Sequence, residues 1–272
     1  MNIGSVIMSK RKALGYTQQA LADKLHVSSQ AVSKWENGTA CPEIDLLPAI
    51  AALLGTSVDA LLGYRSAVIT DYENRYKKTE DYYWGVVPNS LCYEIMKLRP
   101  PIKPLKVLDI GCGEGKDAVF LAKNGYIVSA FDVTDSGIEK GKRLAEENGT
   151  YVDFFKANLL DYRLSEKFDI IFSSGVFHYI AADLREEITE NLKQYTNENG
   201  IHAINVFVQK PFIKRAPDAE RSEDDRYPWK SGELFTYYHD WLLRKTEEFI
   251  FDCSSGGKLH QHCMDVMIAE KV

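Results

Sequence analysis

The sequence predicts a multidomain protein, with an all-α domain over residues 1–64 and an α/β domain over residues 105–272. Short helical patterns separated by tight turns fill the first part, whereas strand and helix patterns alternate from residue 106 onward. The chain ends in two strand patterns around a glycine-rich turn. This alternation predicts a Rossmann-like, mostly parallel sheet that an antiparallel hairpin closes. A length of 272 residues accommodates two such domains.

Composition narrows the class of protein. Hydrophobic residues make up 45% and charged residues 26% of the chain, the balance of an ordinary globular protein. No apolar run approaches the roughly 18 residues of a membrane span, and residues 1–5 lack a secretory signal pattern. The cysteines are odd in number and scattered without a Cys-x-x-Cys pair, as in proteins whose thiols stay reduced. We therefore expect a cytoplasmic location and no membrane partner.

The net charge of −6 is not shared equally between the two parts. The cations of residues 1–64 are Lys10, Arg11, Lys12, Lys24 and Lys34, and the anions are Asp23, Glu36, Glu43, Asp45 and Asp59. This part is therefore neutral, and the acidity belongs to the rest of the chain. A neutral domain binds DNA only when its cations share one face, and its affinity is then sensitive to salt.

Helical spacing and capping residues define the elements of the first domain. The predicted helices cover residues 3–14, 18–25, 29–36, 44–54 and 58–62. Thr17 and Ser28 are the predicted N-caps of the second and third helices, and Asn37-Gly38 ends the third. Two helices joined by a turn of about four residues have the spacing that lets the second enter a DNA major groove.

The motif over these two helices resembles the Cro/CI-type helix-turn-helix of phage repressors and bacterial regulators. It reads Tyr16-Thr17-Gln18-x-x-Leu21-Ala22 and then Val27-Ser28-x-x-Ala31-Val32-Ser33-x-Trp35-Glu36-Asn37-Gly38. The resemblance implies double-stranded DNA as a partner, a homodimer, and DNA contacts by Gln18, Ser29, Gln30, Ser33 and Lys34. The alternative is a helical module that serves only dimerisation or protein contact.

In the second domain, strands are predicted over residues 107–110, 127–131, 152–155, 168–172 and 201–208. Helices are predicted over residues 117–124, 136–148 and 184–195, and the closing hairpin over 247–253 and 260–271. A sharp turn, Gly111-Cys112-Gly113-Glu114-Gly115, follows the first strand. Asp132 ends the second strand, where a carboxylate binds a ribose hydroxyl pair in this layout.

Nicotinamide cofactors use the same arrangement of turn and acid. Their fingerprint places the third glycine three positions after the second, at position 116. Position 116 is Lys116, and the third glycine is Gly115. The sequence therefore disfavours a pyrophosphate ligand at this turn.

The form Asp109-x-Gly111-x-Gly113-x-Gly115 instead resembles motif I of class I S-adenosylmethionine-dependent methyltransferases. The resemblance implies S-adenosyl-L-methionine as cofactor, with contacts from Asp109, Gly111, Gly113, Gly115, Asp132, Asn158, Leu159 and Ser174. Asp132 would meet the ribose, Asn158-Leu159 the adenine, and Ser174 the methionine moiety. The family often has aspartate at the position of Asn158, so the adenine contact differs in its chemistry here.

The connecting segment over residues 65–104 has no Gly/Ser linker character. It carries an aromatic run that includes Tyr76, Tyr83 and Trp84, and then a helical pattern that Pro100-Pro101 ends. In methyltransferases the chain before the first strand often forms a lid over the cofactor. Packing between the two domains explains the same pattern, and both interpretations stay open at this point.

Within the class, the chain resembles the tellurite-resistance methyltransferases. The motif is Tyr227-Pro228-Trp229-Lys230-x-Gly232-Glu233-Leu234-x-x-Tyr237-Tyr238-x-x-Trp241, preceded by Tyr83-x-Gly85 ahead of the first strand. The resemblance implies a small soft methyl acceptor, either a tellurium or selenium oxyanion or a thiol. Such an acceptor needs alignment and partial dehydration more than a strong base.

His178 and Arg226 are the candidate catalytic residues, with Arg215 and Arg221 as further cations able to hold an oxyanion. Each has an ordinary structural alternative, since His178 also fits the start of a helix and the arginines also fit a solvated charged loop. We expect no metal site. Cys263 points away from His262 on a strand, and Cys253, His260 and His262 lack the usual knuckle spacing of zinc ligands.

DNA is expected to be a binding partner that localises the protein rather than the substrate that it methylates. Enzymes that methylate exocyclic base nitrogens carry an Asp/Asn-Pro-Pro-aromatic segment after the fourth strand. Here that place reads Ser173-Ser174-Gly175-Val176, and the Pro-Cys nucleophile of cytosine enzymes is missing too. The sequence thus favours a small-molecule methyltransferase fused to a DNA-binding domain. The alternatives are a transcription regulator that only senses cofactor or metalloid, and an interaction protein with two inert pockets.

Overall fold

The computed structural model describes residues 3–56, 58–62, 72–213, 227, 229–253 and 259–272. The chain divides into two compact units, Met1–Ser66 and Ala67–Val272. The predicted domain boundary after residue 64 falls outside the described residues. Within the described part of the chain, no helix has both the length and the apolar character needed to cross a membrane.

The first unit is helical, as predicted. Its helices are α1 (Ile3–Ala13), α2 (Gln18–Leu25), α3 (Ser29–Glu36), α4 (Leu47–Leu53) and α5 (Val58–Leu61), with a 3₁₀ turn at Ile44–Leu46 before α4. Both predicted N-caps are present. The Thr17 hydroxyl accepts from the backbone N–H of Ala20 at 3.0 Å, and the Ser28 hydroxyl accepts from that of Ala31 at 3.1 Å. His26 ends α2 in the left-handed region at φ 56°.

The core of the first unit is built by side chains from all five helices, α1 to α5. Its fully buried apolar side chains are Ile7, Leu21, Ala22, Val32, Ile50 and Leu61. Gly4 permits the close approach of α1 to the end of α3, because a Cβ there would lie 1.8 Å from the carbonyl oxygen of Trp35. Trp35 is buried and fixes α3, which is the predicted recognition helix, against its neighbours.

The second unit is built on a sheet. Its strands are β1 (Lys106–Ile110), β2 (Ile127–Asp132), β3 (Asp153–Lys156), β4 (Phe168–Ser174), β5 (Thr196–Val208), β6 (Leu242–Cys253) and β7 (His260–Glu270). Among the described residues, seven strands pair in the order β3-β2-β1-β4-β5-β7-β6. The pairs from β3 to β5 are parallel, and β7 runs antiparallel to both β5 and β6. This confirms the predicted Rossmann-like sheet with a closing hairpin.

Helices cover both faces of this sheet. They are α6 (Tyr72–Lys78), α7 (Ser90–Leu98), α8 (Lys116–Lys123), α9 (Asp135–Glu147), α10 (Arg185–Gln194) and α11 (Glu233–Thr236). Adjacent strand residues belong to opposite cores: Val107 and Ile170 lie in one apolar cluster, and Leu108 and Ile171 lie in the other. Burial on both faces explains why these strands read as continuous apolar runs.

The strand order creates a crevice beside β1. The chain passes from β1 outward to β2 and β3, then returns to pair β4 on the other side of β1. In such sheets, ligands bind at this switch point beyond the carboxyl ends of the strands. The glycine-rich turn after β1 and the ends of β2 and β4 therefore lie at the same edge.

Two strands begin five residues earlier than the sequence predicts. β5 begins at Thr196 rather than 201, and its first residues are polar and include Asn199 in the left-handed region at φ 59°. β6 begins at Leu242 rather than 247 and is exposed along most of its length. Because β6 is exposed on both of its faces, its sequence lacks the apolar alternation that marks a half-buried strand.

Candidate functional site

A cavity of about 380 Å³ opens at the carboxyl ends of the parallel strands. Most of the predicted cofactor and catalytic residues line it: Asp109, Gly111, Gly113, Asp132, Asn158, Leu159, Ser174 and His178. Gly115 does not line this cavity. It precedes α8 at φ +81°, where a Cβ would lie 2.9 Å from the Cα of Gly141. Gly115 thus serves the packing of the turn against α9.

The Asp132 carboxylate braces the glycine-rich turn as well as lining the cavity. Oδ2 accepts from the backbone N–H of Gly113 at 2.9 Å, and Oδ1 accepts from the N–H and hydroxyl of Thr134 at 2.9 and 2.6 Å. Burial raises the pKa of Asp132, although these hydrogen bonds act in the opposite direction. The side chain is therefore fixed in place at the end of β2, with its oxygens already oriented.

Asp109 presents a second buried acceptor to the cavity. Its side chain is only 2% exposed, and Oδ2 has no hydrogen-bond partner among the described residues. Burial, and next the negative charge of Asp117, raises the pKa of Asp109 well above its usual value. Because an unsatisfied buried carboxylate is costly, a cationic group entering the cavity would stabilise it. The ammonium group of S-adenosyl-L-methionine fits this requirement.

The predicted adenine and methionine contacts also line the cavity, after β3 and at the end of β4. Asn158 Oδ1 accepts a hydrogen bond from the backbone N–H of Leu160 at 3.0 Å, which fixes the loop after β3. The Leu159 side chain is buried. Ser174 Oγ accepts from the amides of Asn89 and Asn205 at 3.0 and 2.9 Å, so the end of β4 is held from both sides.

Sequence reasoning missed the residues that complete this network. The carboxylate of Asp117 accepts from the backbone N–H of Asn89 at 2.6 Å and pairs with Lys116 at 2.8 Å. Asn205 also accepts from the backbone N–H of Gly175 at 2.7 Å. The sequence offered a signal for Asn89 only, because this residue stands immediately before α7 and is its N-cap.

Aromatic residues of the connecting segment lie over the glycine-rich turn. Tyr76 accepts from the indole N–H of Trp84 at 3.0 Å, and a Cβ on Gly113 would lie 2.9 Å from the Tyr76 hydroxyl. Glu114 accepts from the backbone N–H of Trp84 at 3.2 Å and pairs with Lys140 at 2.9 Å. These contacts hold Tyr76 and Trp84 against the glycine-rich turn beside the cavity.

The other end of the cavity is lined by aromatic and imidazole rings and by a cysteine side chain. His178 is buried, with its ring 4.1 Å from that of Tyr179 and 4.9 Å from that of Phe207. The Phe207 ring lies 4.8 Å from that of His262, and Cys253 also lines the cavity there. The other predicted catalytic residue, Arg226, falls outside the described residues, as do Arg215 and Arg221.

The motif over residues 227–241 mainly builds the wall behind this end. The Trp229 indole N–H donates to the carbonyl oxygen of Phe177 at 2.9 Å. Arg185, which the sequence analysis did not single out, lies 4.0 Å over the Trp229 ring and pairs with Glu233 at 2.6 Å. Tyr227 donates its backbone N–H to the carbonyl oxygen of His178 at 2.7 Å. The motif thus positions the short helical turn that carries His178.

In the first unit, the predicted DNA contacts cluster on α3. Gln30 and Lys34 are exposed, and Ser29 and Ser33 are partly exposed. Gln18 has a different environment from the expected phosphate clamp, since its amide donates to Glu36 Oε2 at 2.8 Å. The structure therefore brings four of the five predicted residues together on one accessible helix and engages Gln18 in an internal network.

Comparison with known proteins decides the family. A family model described as tellurite resistance protein TehB matches residues 75–262, more than half of the chain. The chain belongs to the TehB family. A second model, described as helix-turn-helix, matches residues 7–61, ahead of the TehB region. These matches confirm the predicted fusion of a helix-turn-helix domain to a class I S-adenosyl-L-methionine-dependent methyltransferase domain.

Individual relatives agree with this assignment. The probable S-adenosyl-L-methionine-dependent methyltransferase TehB of Haemophilus influenzae is 26% identical over 194 residues, covering 68% of this chain and 61% of that protein. The chain thus spans less than two thirds of this TehB relative. The crystal structure of H. influenzae TehB matches with a TM-score of 0.61 at 22% identity, covering 74% of this chain and 67% of that one. A ubiquinone biosynthesis O-methyltransferase of Rickettsia canadensis is 30% identical over 114 residues, 41% of this chain and 48% of that protein.

Proposed function

We propose that this TehB-family chain transfers a methyl group from S-adenosyl-L-methionine to a small soft acceptor, and that its first domain binds double-stranded DNA. The observation that carries the first part is the pair of buried carboxylates, Asp109 and Asp132, which line one cavity beside a glycine-rich turn. One carboxylate suits an ammonium group and the other suits a ribose hydroxyl pair. Together they match two polar parts of this cofactor, the ammonium group of its methionine moiety and the hydroxyl pair of its ribose.

When bound, the cofactor supplies an electrophilic methyl group on a sulfonium centre. The residues of this chain bind the cofactor and orient it toward the acceptor. Asp109 would accept from the ammonium group, Asp132 would accept from the ribose hydroxyls, and Leu159 would cover the adenine. The Asn89–Ser174–Asn205 network fixes the end of β4, which would lie beside the methionine moiety. Precise alignment of an in-line displacement is the main contribution that such a site makes to the rate.

The acceptor side is apolar and aromatic, with Phe207, Phe251 and Tyr179 beside the His178 imidazole. Such a lining removes part of the water shell from an anionic acceptor, which makes a soft nucleophile more reactive. His178 is proposed to contact the acceptor, and Arg226 to supply the cation for an oxyanion. Tellurite, selenite and small thiols are the proposed acceptors.

A turnover assay tests this proposal. The full chain is incubated with labelled S-adenosyl-L-methionine and a panel of tellurite, selenite and small thiols, and methylated product is measured. Transfer to any of these acceptors supports the enzyme. Cofactor binding with no transfer across the panel would instead indicate a regulator that senses the cofactor, which is the alternative function.

Asp132→Ala is expected to weaken S-adenosylhomocysteine binding by about 1–3 kcal/mol, or roughly 5–150-fold, because the ribose hydroxyls and the Gly113 N–H both lose their acceptor. Asp132→Asn keeps the side-chain shape and one acceptor oxygen, so its loss should be smaller. Isothermal titration calorimetry measures both. Asp153→Ala, at an exposed carboxylate on β3, is the matched control. Equal affinity of wild type and Asp132→Ala would remove Asp132 from the site.

The first domain is proposed to bind DNA as a symmetric pair, with α3 in the major groove. The exposed Gln30 side chain is in a position to read bases, so Gln30→Ala should relax sequence preference. Lys34→Ala should lower affinity for all sequences and reduce the slope of the salt dependence by about one unit. Titrations of the full chain at several salt concentrations, against DNA flanking its coding region, measure both effects.

Lys142→Ala removes an exposed cation from the second unit and controls for net charge. If the full chain shifts none of this DNA, and selection from random sequences enriches nothing, the first domain is a dimerisation module. An elution volume that fits a monomer would contradict the symmetric pair on its own.

A further inference from the structure

The β6–β7 hairpin brings one thiol and two imidazoles together. In the antiparallel register, Cys253 lies opposite His260 and Phe251 lies opposite His262. Because side chains alternate along a strand, His260 and His262 project from the same face of β7. The Cys253 sulfur and one nitrogen of each histidine all lie within 4.8 Å of one another. Cys263 lies in the buried core on the opposite face, as its alternation with His262 predicts.

These distances suit a single small cation. Zinc–nitrogen bonds of about 2.0–2.1 Å and zinc–sulfur bonds of about 2.3 Å in a tetrahedron place ligand atoms roughly 3.3–3.6 Å apart. In this hairpin the two imidazole Nε2 atoms are 2.9 Å apart, and the widest separation in the group is 4.8 Å or less. Side-chain adjustments of about 1 Å, without movement of the strands, bring the three atoms to these separations.

The chemistry of the three groups selects the cation. Thiolate and imidazole are ligands for zinc-class transition metals, whereas magnesium and calcium take oxygen ligands. All three side chains are partly buried, so the site is neither a solvated surface nor a closed core. Three protein ligands leave a fourth position, which is the arrangement of metal sites that bind water or substrate.

The location of the three side chains shows which part of the molecule the fourth coordination position faces. Cys253 and His262 line the same cavity as Asp109, Asp132 and His178. They lie at its aromatic end, where the Phe207 ring lies between His178 and His262, 4.9 and 4.8 Å from their rings. A ligand on a cation held by the hairpin therefore enters the region assigned above to the methyl acceptor.

We propose that Cys253, His260 and His262 form a site for a zinc-class divalent cation, and that its open position binds a small thiol as the methyl acceptor. The acceptor part rests on the proposed function, whereas the metal site does not. A divalent cation with one thiolate and two neutral imidazoles keeps one positive charge, which favours an anionic sulfur as fourth ligand. Coordination lowers the pKa of a thiol so that it binds as the thiolate.

The methyl transfer then balances without a further reactant. The acceptor thiol releases its proton to solvent on coordination. An electron pair of its sulfur forms the new bond to the methyl carbon while the sulfonium carbon–sulfur bond breaks. The products are a methyl thioether and S-adenosylhomocysteine. A neutral thioether is a weaker ligand than a thiolate, so the product leaves the cation more readily than the substrate does.

Cobalt(II) is the probe for the metal site, because it takes zinc ligand sets and absorbs light. Tag-free full-length protein is treated with chelator and titrated with Co²⁺. The expected result is one equivalent bound, with thiolate-to-cobalt charge-transfer absorption in the near ultraviolet. Cys253→Ser should abolish that absorption, and His260→Ala should weaken metal affinity by more than the roughly 10–100-fold that loss of an outer-shell partner costs.

Cys41→Ser and His239→Ala remove an exposed thiol and an exposed imidazole elsewhere in the chain and are the matched controls. Charge-transfer absorption that persists in Cys253→Ser, or that disappears equally in Cys41→Ser, overturns the site. So does wild-type protein that gives no such absorption on Co²⁺ titration.

The acceptor part has a separate readout. 2-Mercaptoethanol, as a small thiol, is added to the cobalt protein, and the visible ligand-field bands should shift as the fourth ligand changes. Unchanged bands overturn acceptor binding by the cation. Absence of S-adenosylhomocysteine binding or of turnover in metal-replete wild type counts against the proposed function and the acceptor role but not against the metal site, since the cobalt spectrum is measured without cofactor.

Discussion

Glu36→Ala is expected to lower the unfolding free energy of the first unit by about 3–5 kcal/mol. The Glu36 carboxylate accepts from Arg11 Nε and Nη2 at 2.6 and 2.9 Å, and the two side chains are only 1% and 10% exposed. Removal of the carboxylate leaves the guanidinium charge buried without its partner. A loss of this size is a large part of the 5–15 kcal/mol that stabilises a typical domain.

Hydrogen exchange of the backbone amides in α2 and α3, in the full chain, measures this loss. Glu43→Ala, at an exposed carboxylate of the same unit, should change the exchange free energies by less than about 0.5 kcal/mol. Arg11→Met combined with Glu36→Leu should recover most of the stability, because it removes both buried charges together. A Glu36→Ala effect as small as that of Glu43→Ala would show that the pair contributes little.

The same pair gives the first unit a defined acid sensitivity. Burial alone raises the pKa of Glu36, but hydrogen bonds from Arg11 and Gln18 outweigh it and hold the pKa below its usual 4.5. The folded state therefore binds this proton less readily than the unfolded state does. The contribution of Glu36 to stability is fully present above pH 4.5 and is lost as the pH falls through the lowered value.

Gly115→Ala is expected to destabilise the second unit by about 2–5 kcal/mol. An alanine at φ +81° carries a backbone cost of roughly 1–2 kcal/mol. Its Cβ would also lie 2.9 Å from the Cα of Gly141 and 2.8 Å from the Phe154 ring. Overpacking of this kind costs typically 1–3 kcal/mol, since backbone atoms of α9 must move.

Gly149→Ala is the matched control, because Gly149 has φ +61° and nothing within 4 Å of the added Cβ. It should show the backbone cost alone. Chemical denaturation of the full chain, followed by circular dichroism, gives both values. Equal losses of unfolding free energy at the two positions would mean that α9 moves away from the added Cβ at no cost.

Local chemistry made much of the fold predictable. Thr17 and Ser28 are good N-caps immediately before apolar helical patterns, so the two helices were placed at the correct residues. β1 and β4 are buried on both faces and read as apolar runs. The glycine-rich turn and Asp132 lie in one strand–turn–helix unit, so their common location follows from sequence order.

Contacts between distant segments were not predictable in the same way. Asn89 meets Ser174 across 85 positions, and no local pattern links them. Cys253 and His260 become opposite residues only once the hairpin register is fixed, which depends on the turn between them. The motif that includes Gln18 implied a phosphate contact, but the amide lies next to Glu36, whose burial the sequence alone does not reveal.

The exposed strand β6 has a consequence for how copies of this chain behave toward one another. β7 occupies one side of β6, and the structure places no strand on its other side within the described residues. Such an edge offers unpaired backbone groups to any extended segment that approaches. β6 carries Arg244, Lys245, Glu247 and Glu248 along this edge. A second sheet that docked there would have to strip water from these charges, so this run of residues protects the protein against aggregation.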